Sequence, residues 1–195
     1  MKKVISFLSV FLALISFSGI SAGPFEVDIA HSSVGFQIRH LVANVNGSFR
    51  DFNGSFGFDE KKPEASKVSF KVKVATINTN EKKRDDHLRG EDFFDVKKFP
   101  EMSFESTKFS ALGKNKYKLE GNLTIKGVTK KIVFDVDYMG TGKDPWGNTK
   151  SGFSATTEIN RKDFGMNWNK NLDNGGYLLG DEVKITVNVE AVAKQ

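Results

Sequence analysis

The sequence has no cysteine, and it has only two tryptophans and four prolines among its 195 residues. Without cysteine the chain can form neither a disulfide bond nor a thiolate metal site, and no lipidated cysteine can anchor it. A chain of this size must then obtain its stability from a hydrophobic core. The three histidines, His31, His40 and His87, do not stand at spacings typical of metal ligands. We therefore predict no metal site.

Several catalytic motifs are also absent. The chain has no Gly-x-Ser-x-Gly elbow and no glycine-rich phosphate loop between a strand and a helix. The formal net charge is +5, to which Lys2 and Lys3 contribute two, and the other charges are mixed in sign along the chain. Such a distribution does not favour nucleic-acid binding. The sequence predicts a protein that is not an enzyme, with no catalytic residue and no cofactor.

Residues 1–22 have the composition of a secretory signal peptide. Lys2 and Lys3 precede an apolar run over residues 4–17, and small residues follow as far as Ala22. The run is shorter than the roughly 20 apolar residues of a transmembrane helix, which favours cleavage after Ala22 over an uncleaved anchor. We predict export to the periplasm and a single domain over residues 23–195.

The remaining sequence alternates apolar and polar residues, as strands with one buried face do. Residues 68–74 show the alternation most clearly, and it recurs in about eight segments separated by turns rich in Gly and Asn. The parity changes between Phe49 and Phe52, which predicts a bulge or bend. Residues 80–95 and 162–172 break the alternation and are predicted to form short helical segments. The pattern predicts an all-β protein with one or two short helices, in which about eight antiparallel strands form either a sandwich or a closed barrel. A closed barrel would leave no exposed edge strand.

Phenylalanine dominates the apolar face, with 18 Phe against two Trp and three Tyr. Its ring has a large apolar surface and no polar atom that needs a partner, so the inward face could surround a dry channel for a hydrocarbon. A core filled by its own side chains is an equally good interpretation, because protein interiors are normally close-packed. The predicted channel lining consists of inward strand residues: Phe36, Ile38, Phe56, Phe58, Val68, Phe70, Val72, Val74, Phe104, Leu119, Leu123, Phe134, Val136, Phe153, Ile185 and Val187.

The polar residues of the first predicted helix have two interpretations. Arg84 and His87 could contact a lipid head group at the barrel mouth. In the alternative, which we favour, they belong to a network that caps the helix and ties it to the rim. His40 and Arg161 have the same two interpretations. A different hypothesis makes Arg84, Asp86 and His87 the catalytic groups of an enzyme that acts on a lipid head group.

Nine short segments, in this order along the chain, resemble the YceI-like family of secreted, lipocalin-like polyisoprenoid-binding proteins. The resemblance covers essentially the whole length after the signal peptide. No single segment is specific for the family, but nine such segments in the family's order are. The segments are residues 28–32, 34–36 with His40, 47–49, 84–88, 92–95, 99–100 with 104–107, 121–130, 159–161 with 164–165, and 180–183.

The resemblance implies an eight-stranded antiparallel, lipocalin-like barrel around an apolar pore that holds an isoprenoid quinone-like lipid or another long-chain amphiphile. It implies no cofactor chemistry and carries over no catalytic residue. The leading expectation is thus a periplasmic lipid carrier or reservoir, compatible with a monomer and with a homodimer, that could transiently contact a membrane or an envelope protein. The alternatives are the head-group enzyme and a filled-core protein that docks onto an envelope partner.

Overall fold

The computed structural model describes residues 24–173 and 175–194, so the predicted signal peptide lies outside the described residues. No helix in the described part is both long and apolar enough to cross a membrane. The elements in chain order are β1 (Phe25–Val27), β2 (Ser33–His40), β3 (Ala43–Phe49), β4 (Phe52–Gly57), β5 (Lys67–Lys73), β6 (Ile77–Asn78), α1 (Lys82–Arg89), β7 (Glu101–Gly113), β8 (Lys116–Ile125), β9 (Val128–Lys143), β10 (Thr149–Asn160) and β11 (Leu179–Ala193). Short 3-10 turns lie at Ile29–His31, Pro63–Ala65, Val74–Thr76 and Arg161–Phe164.

Strand β1 closes the sheet into a barrel, because it pairs with β11 on one side and with β4 on the other. The order around the ring is β1-β4-β5-β7-β8-β9-β10-β11, and every pair is antiparallel. The predicted eight-stranded antiparallel barrel is therefore confirmed. Helix α1 lies within the first predicted helical segment, whereas the second begins with the 3-10 turn at Arg161–Phe164 and continues without regular structure.

Kinks divide three of the eight strands, so that β1 continues as β2, β3 as β4, and β5 as β6. At the second kink, the backbone N–H groups of Arg50 and Asp51 leave the ladder and donate to Thr76 Oγ1, each at 3.1 Å. This is the bend that the change of parity between Phe49 and Phe52 predicts. Beyond the kinks, β2 pairs with β11 and β3, and β3 pairs with β6, at the end of the barrel where α1 packs.

Strand β8 shows how the alternation sets the register of the sheet. Tyr117, Leu119, Gly121, Leu123 and Ile125 are buried, and the side chains between them are partly accessible. A slip of one residue would turn every one of these apolar side chains toward water. The inward face of the strand is therefore strongly specified by its sequence.

Phenylalanine rings lie against glycines of the neighbouring strand at several places in the wall. A Cβ at Gly47 would come within 2.2 Å of Phe36 Cζ, and one at Gly54 within 2.4 Å of Phe70 Cδ2. Both pairs are directly opposite each other across two paired strands. The missing side chain of each glycine leaves room for the ring to lie along the wall of the barrel.

Gly121→Ala is expected to lower the free energy of unfolding by about 2 kcal/mol, because neighbouring atoms already fill the space that the new methyl group would need. The new Cβ would lie 2.3 Å from Phe104 Cζ and 2.6 Å from the backbone oxygen of Glu105, so a ring movement alone does not relieve the clash. Urea unfolding measures the change. Gly57→Ala is the control, because no atom lies within 4 Å of its Cβ position; equal destabilisation of both variants would contradict the explanation.

A cluster of charged side chains joins the kink between β1 and β2 to β10 and β11. Lys150 Nζ lies 3.0 Å from Asp28 Oδ2 and 2.7 Å from Glu190 Oε1, and His31 Nδ1 lies 2.9 Å from Asp28 Oδ2. The hydrogen bonds from Lys150 and His31 lower the pKa of Asp28 from 3.8 to about 2, and the two carboxylates raise the pKa of Lys150. Donor atoms of Asp28, His31 and Glu190 lie within 4.8 Å of one another, and the Lys150 ammonium provides positive charge among them.

Stability is expected to fall as the pH drops from about 4 to about 2, in part because Asp28 becomes protonated. A carboxyl whose pKa is depressed on folding stabilises the protein above its unfolded pKa, and this contribution is lost as the pH falls through the folded value. Because the cluster is partly open to solvent, we expect about 1 kcal/mol. Asp28→Asn should remove that part of the pH dependence in thermal unfolding. Glu26→Gln, at an exposed pair with Lys194, should leave it unchanged.

Candidate functional site

The inward faces of the strands enclose a cavity of about 530 Å³ that runs down the barrel. The surface of the cavity is almost all apolar, and most of its lining side chains are buried or half-buried. On β11 the lining extends from Leu179 to Val189. At about 3.3 Å per residue and a strand tilt of about 40°, this corresponds to about 25 Å along the barrel axis. The barrel therefore contains a long apolar channel and is not a core packed to the centre.

Fifteen of the sixteen residues predicted to line the channel do so, namely Phe36, Ile38, Phe56, Phe58, Val68, Phe70, Val72, Phe104, Leu119, Leu123, Phe134, Val136, Phe153, Ile185 and Val187. The prediction for Val74 is wrong. Strand β5 ends at Lys73, and Val74 begins a 3-10 turn, which takes its side chain out of the alternation and buries it in the hydrophobic core. That these fifteen residues bind a lipid stays a prediction.

Part of the lining comes from segments outside the strands, which strand periodicity does not identify. Leu88 lies on α1, Phe93 and Phe94 follow it, and Met166 and Trp168 lie in the irregular segment before β11. The adjacent pair Phe93-Phe94, in an otherwise charged stretch, is the one sequence signal that could have indicated this part of the site.

An aromatic cluster closes the end of the cavity opposite α1. The Phe58 ring lies at its centre, with ring centroids 5.7 Å from Tyr117, 4.9 Å from Tyr138 and 5.0 Å from Phe153. Phe109 stacks on Tyr117 at 4.9 Å. Edge-to-face and stacked rings of this kind pack densely. The cluster forms the floor of the cavity.

The mouth of the cavity lies at α1. Of all the lining residues, Lys83, Arg84 and His87 alone are exposed, and all three are on this helix. The Glu81 carboxylate caps the helix by accepting from the backbone N–H groups of Lys83 and Arg84. Arg89 ties the helix to the barrel by donating to the carbonyl oxygens of Ala75 and Ile77 at 2.8 and 2.9 Å. The rim therefore presents basic side chains around an apolar channel.

The polar residues of α1 serve mainly to hold the helix in place. Arg84 donates to Thr79 Oγ1 at 2.7 Å and to the Thr79 carbonyl oxygen at 2.8 Å. Asp85 is buried, although adjacent acids in a polar segment are usually solvated, and it accepts from the backbone N–H and hydroxyl of Thr79. These contacts match the interpretation of the segment as a network tied to the rim.

Asp86 does not belong to the cavity mouth. Its carboxylate pairs with Lys82 at 2.6 Å and with Arg89 at 3.0 Å on the outer side of α1, and these pairs lower its pKa. The hypothesis that Arg84, Asp86 and His87 act together in catalysis is not supported, because Asp86 does not line the cavity with the other two. Of the two predicted roles of Asp86, in a head-group site or in a structural polar network, these pairs match the second.

His87 and His40 both reach the cavity, His87 from α1 and His40 from the end of β2. His87 Nε2 lies 2.8 Å from Asp92 Oδ2, and its ring meets the rings of Phe93 and Trp168 edge-on at 5.1 and 5.0 Å. His40 is half-buried at the end of β2. Within the described residues, neither the His40 ring nor the Lys83 ammonium has a hydrogen-bond partner. Both are free to contact a polar group at the mouth.

Arg161 lines the cavity but is a structural residue, because its side chain is only 2% exposed and its donors are used within the protein. It donates to the carbonyl oxygens of Gly180 at 2.9 Å, Met166 at 2.5 Å and Trp168 at 2.8 Å, and it pairs with Asp181 at 3.2 Å. Burial lowers the pKa of its guanidinium, and Asp181 opposes that shift. Arg161 thereby holds in place the segment that carries the lining side chains of Met166 and Trp168.

A closed antiparallel barrel with a deep apolar cavity and a basic rim defines a protein of the lipocalin-like class, whose barrels can hold one small ligand. The chain belongs to the YceI-like family, whose domain model matches residues 25–191.

Related proteins from several bacteria share this domain. A UPF0312 protein of Photorhabdus laumondii is 41% identical over 167 residues, which are 84% of this chain and 86% of that protein. The crystal structure of the Campylobacter jejuni YceI protein is 37% identical, with a TM-score of 0.69 over 87% of this chain and 97% of that one. A polyisoprenoid-binding domain from Saccharophagus degradans has the same fold, with a TM-score of 0.60 over 89% of this chain and 99% of that one, at 13% identity.

Proposed function

We propose that the protein is a periplasmic carrier or reservoir for a polyisoprenoid or a similar long-chain amphiphile. The chain of the lipid lies in the barrel cavity and its head group lies at the mouth. The observation that carries the proposal is the continuous apolar cavity of about 530 Å³, whose exposed lining residues, Lys83, Arg84 and His87, all lie at the mouth. Burying each methylene group contributes about 0.8 kcal/mol, so a long tail can offset the cost of association.

The length of the cavity favours a chain longer than an ordinary acyl tail. One leaflet of a bilayer has a hydrocarbon thickness of about 15 Å, half of the whole core. The cavity is about 25 Å long and closed at the floor by the Phe58 cluster. A single acyl chain would leave part of this apolar surface uncovered, whereas a polyisoprenoid would cover it. The likeness to the polyisoprenoid-binding domain of Saccharophagus degradans supports the same class of ligand.

The mouth favours an amphiphile whose head group accepts hydrogen bonds. Lys83 and His40 offer donors there, and the nearby acids are already engaged, by His87, by Thr79 or as the cap of α1. Most of the affinity then comes from the tail, while the head group sets the orientation. Together with the signal peptide predicted at residues 1–22, this supports a lipid-binding role in the periplasm.

Mass spectrometry of an organic extract tests the proposal directly. The full-length chain is expressed in a bacterium, purified from the periplasm without detergent and extracted; one long-chain amphiphile is expected at close to one molecule per protein. Intact mass of the same sample checks cleavage after Ala22. Recovery of no long-chain species from correctly folded protein would overturn the proposal.

A further inference from the structure

The hairpin turn between β2 and β3 has an unusual sequence for its geometry. It has only two residues, Leu41 and Val42, between the paired residues His40 and Ala43. Leu41 has a φ of +52°, and the Val42 side chain is 99% exposed. Two-residue hairpin turns strongly prefer Gly, Asn or Asp where φ is positive, because other side chains clash with the backbone there.

Most other positive-φ positions follow that preference, and the one further exception among the described residues, Lys126 with a φ of 50°, has a polar side chain. Among the described residues, Asn80, Asp95 and Asn115 have φ values of 62°, 47° and 61°. Leu41 therefore costs conformational free energy that an asparagine or glycine at the same position would avoid. A strained, apolar and exposed turn does not help the protein to fold, so its residues point to a contact outside the chain.

The turn lies next to the mouth of the cavity. The backbone N–H of Leu41 donates to the carbonyl oxygen of Leu178 at 2.9 Å, and both Leu178 and His40 line the cavity. Tyr177, the neighbour of Leu178, is also largely exposed. We call Leu41, Val42 and Tyr177 the apolar tip. An apolar surface thus continues from inside the barrel to its outer rim.

Basic side chains flank the apolar tip. Arg39 precedes the turn and donates from Nε to the Leu41 carbonyl oxygen at 3.0 Å, and the Lys170 carbonyl oxygen accepts from the N–H of Leu178. Lys83 lies on the rim formed by α1. None of these three side chains forms an ion pair with an acid among the described residues. Apolar residues beside free basic ones are typical of surfaces that bind at a membrane interface.

We propose that the apolar tip inserts into the surface of a bilayer containing anionic lipids and sets the cavity mouth against the membrane. The inference rests on the proposed lipid-binding function. In this orientation an apolar chain passes between bilayer and barrel without crossing water. A bilayer fits better than a protein partner, because a stable protein interface buries about 800 Å² on each side, more than a two-residue turn and one tyrosine provide.

Vesicle flotation tests the proposal, with vesicles of phosphatidylglycerol mixed with phosphatidylcholine. The full chain without its signal peptide is expected to bind the mixed vesicles, to bind pure phosphatidylcholine more weakly, and to dissociate at high salt as the charges are screened. Val42→Asp is expected to weaken binding about tenfold, the effect of losing one buried valine side chain. Because Val42 is exposed, its replacement should leave folding unchanged.

Leu41→Gly is expected to raise thermal stability and at the same time to weaken vesicle binding, a combination that a turn with only a structural role would not show. Glycine removes the strain at a φ of +52°, so the melting temperature should rise. Loss of the leucine should at the same time weaken vesicle binding. The matched control is Trp146→Ser, which removes an exposed aromatic side chain at the opposite end of the barrel. Wild-type binding by Val42→Asp, or loss of binding in Trp146→Ser, would overturn the proposed orientation.

Uptake of an apolar fluorescent probe from detergent solution separates the two proposals. Neither Leu41 nor Val42 lines the cavity, so both variants should take up the probe as the wild type does. A wild-type protein that takes up the probe without binding vesicles would overturn the membrane contact alone. A wild-type protein that takes up no probe would overturn the lipid-binding function itself.

Discussion

Ala155→Trp is expected to reduce lipid retention by about a thousandfold. Ala155 is the smallest lining side chain of β10, and it lies between Val136 and Val187 of the neighbouring strands. An indole ring at this position projects into the cavity. If it displaces about five methylene groups of the bound chain, the loss is about 4 kcal/mol of binding free energy, or about a thousandfold in affinity. The yield of lipid in the organic extract and the uptake of an apolar probe measure the effect.

Thr156→Trp is the matched control for this prediction. It places the same side chain one residue along β10, where the alternation of the strand directs it to the outer face of the barrel. Its lipid retention should equal that of the wild type. Circular dichroism of both variants verifies that the barrel is folded. Undiminished lipid in a folded Ala155→Trp protein would show that the lipid is bound elsewhere, and the cavity would then not be its site.

Arg161→Met is expected to lower the free energy of unfolding by about 3–5 kcal/mol. The substitution fills similar space but leaves the carbonyl oxygens of Gly180, Met166 and Trp168 without their donor. It also leaves Asp181 without one of its two cationic partners. Urea unfolding followed by tryptophan fluorescence measures the loss. Arg161→Lys should recover only part of the stability, because an ammonium cannot reproduce the planar fork of the guanidinium.

Lys162→Met tests whether the effect of Arg161→Met comes from the lost carbonyl contacts or only from the loss of a positive charge beside Asp181. Lys162 pairs with the same Asp181 carboxylate at 2.8 Å, but its side chain is 41% exposed. An exposed ion pair of this kind contributes about 1 kcal/mol or less, so this variant should be nearly as stable as the wild type. Similar losses in both variants would mean that the pairing with Asp181, and not the three carbonyl contacts, makes Arg161 important.

The strands and the direction of their side chains could be predicted because period-two alternation is a local property of the chain. The inward residues of β8 and β11 followed it, and the bend between β3 and β4 was visible in the spacing of Phe49 and Phe52. Val74 was misassigned because the alternation carries no signal for the residue at which a strand stops. The burial of Asp85 could not be predicted, because it depends on a contact with Thr79 that the alternation does not reveal.

The sequence by itself determined the strands, their inward face and the apolar character of that face, since each follows from the order of apolar and polar residues along single strands. The tertiary structure alone decided whether the facing rings meet or leave a channel. That outcome depends on the radius of the closed sheet and on cross-strand pairs such as Gly47 with Phe36, where the missing side chain lets the ring lie along the wall. The tertiary structure also decided where the mouth of the cavity lies, because α1, Trp168 and the turn at Leu41 come together only when distant parts of the chain pack.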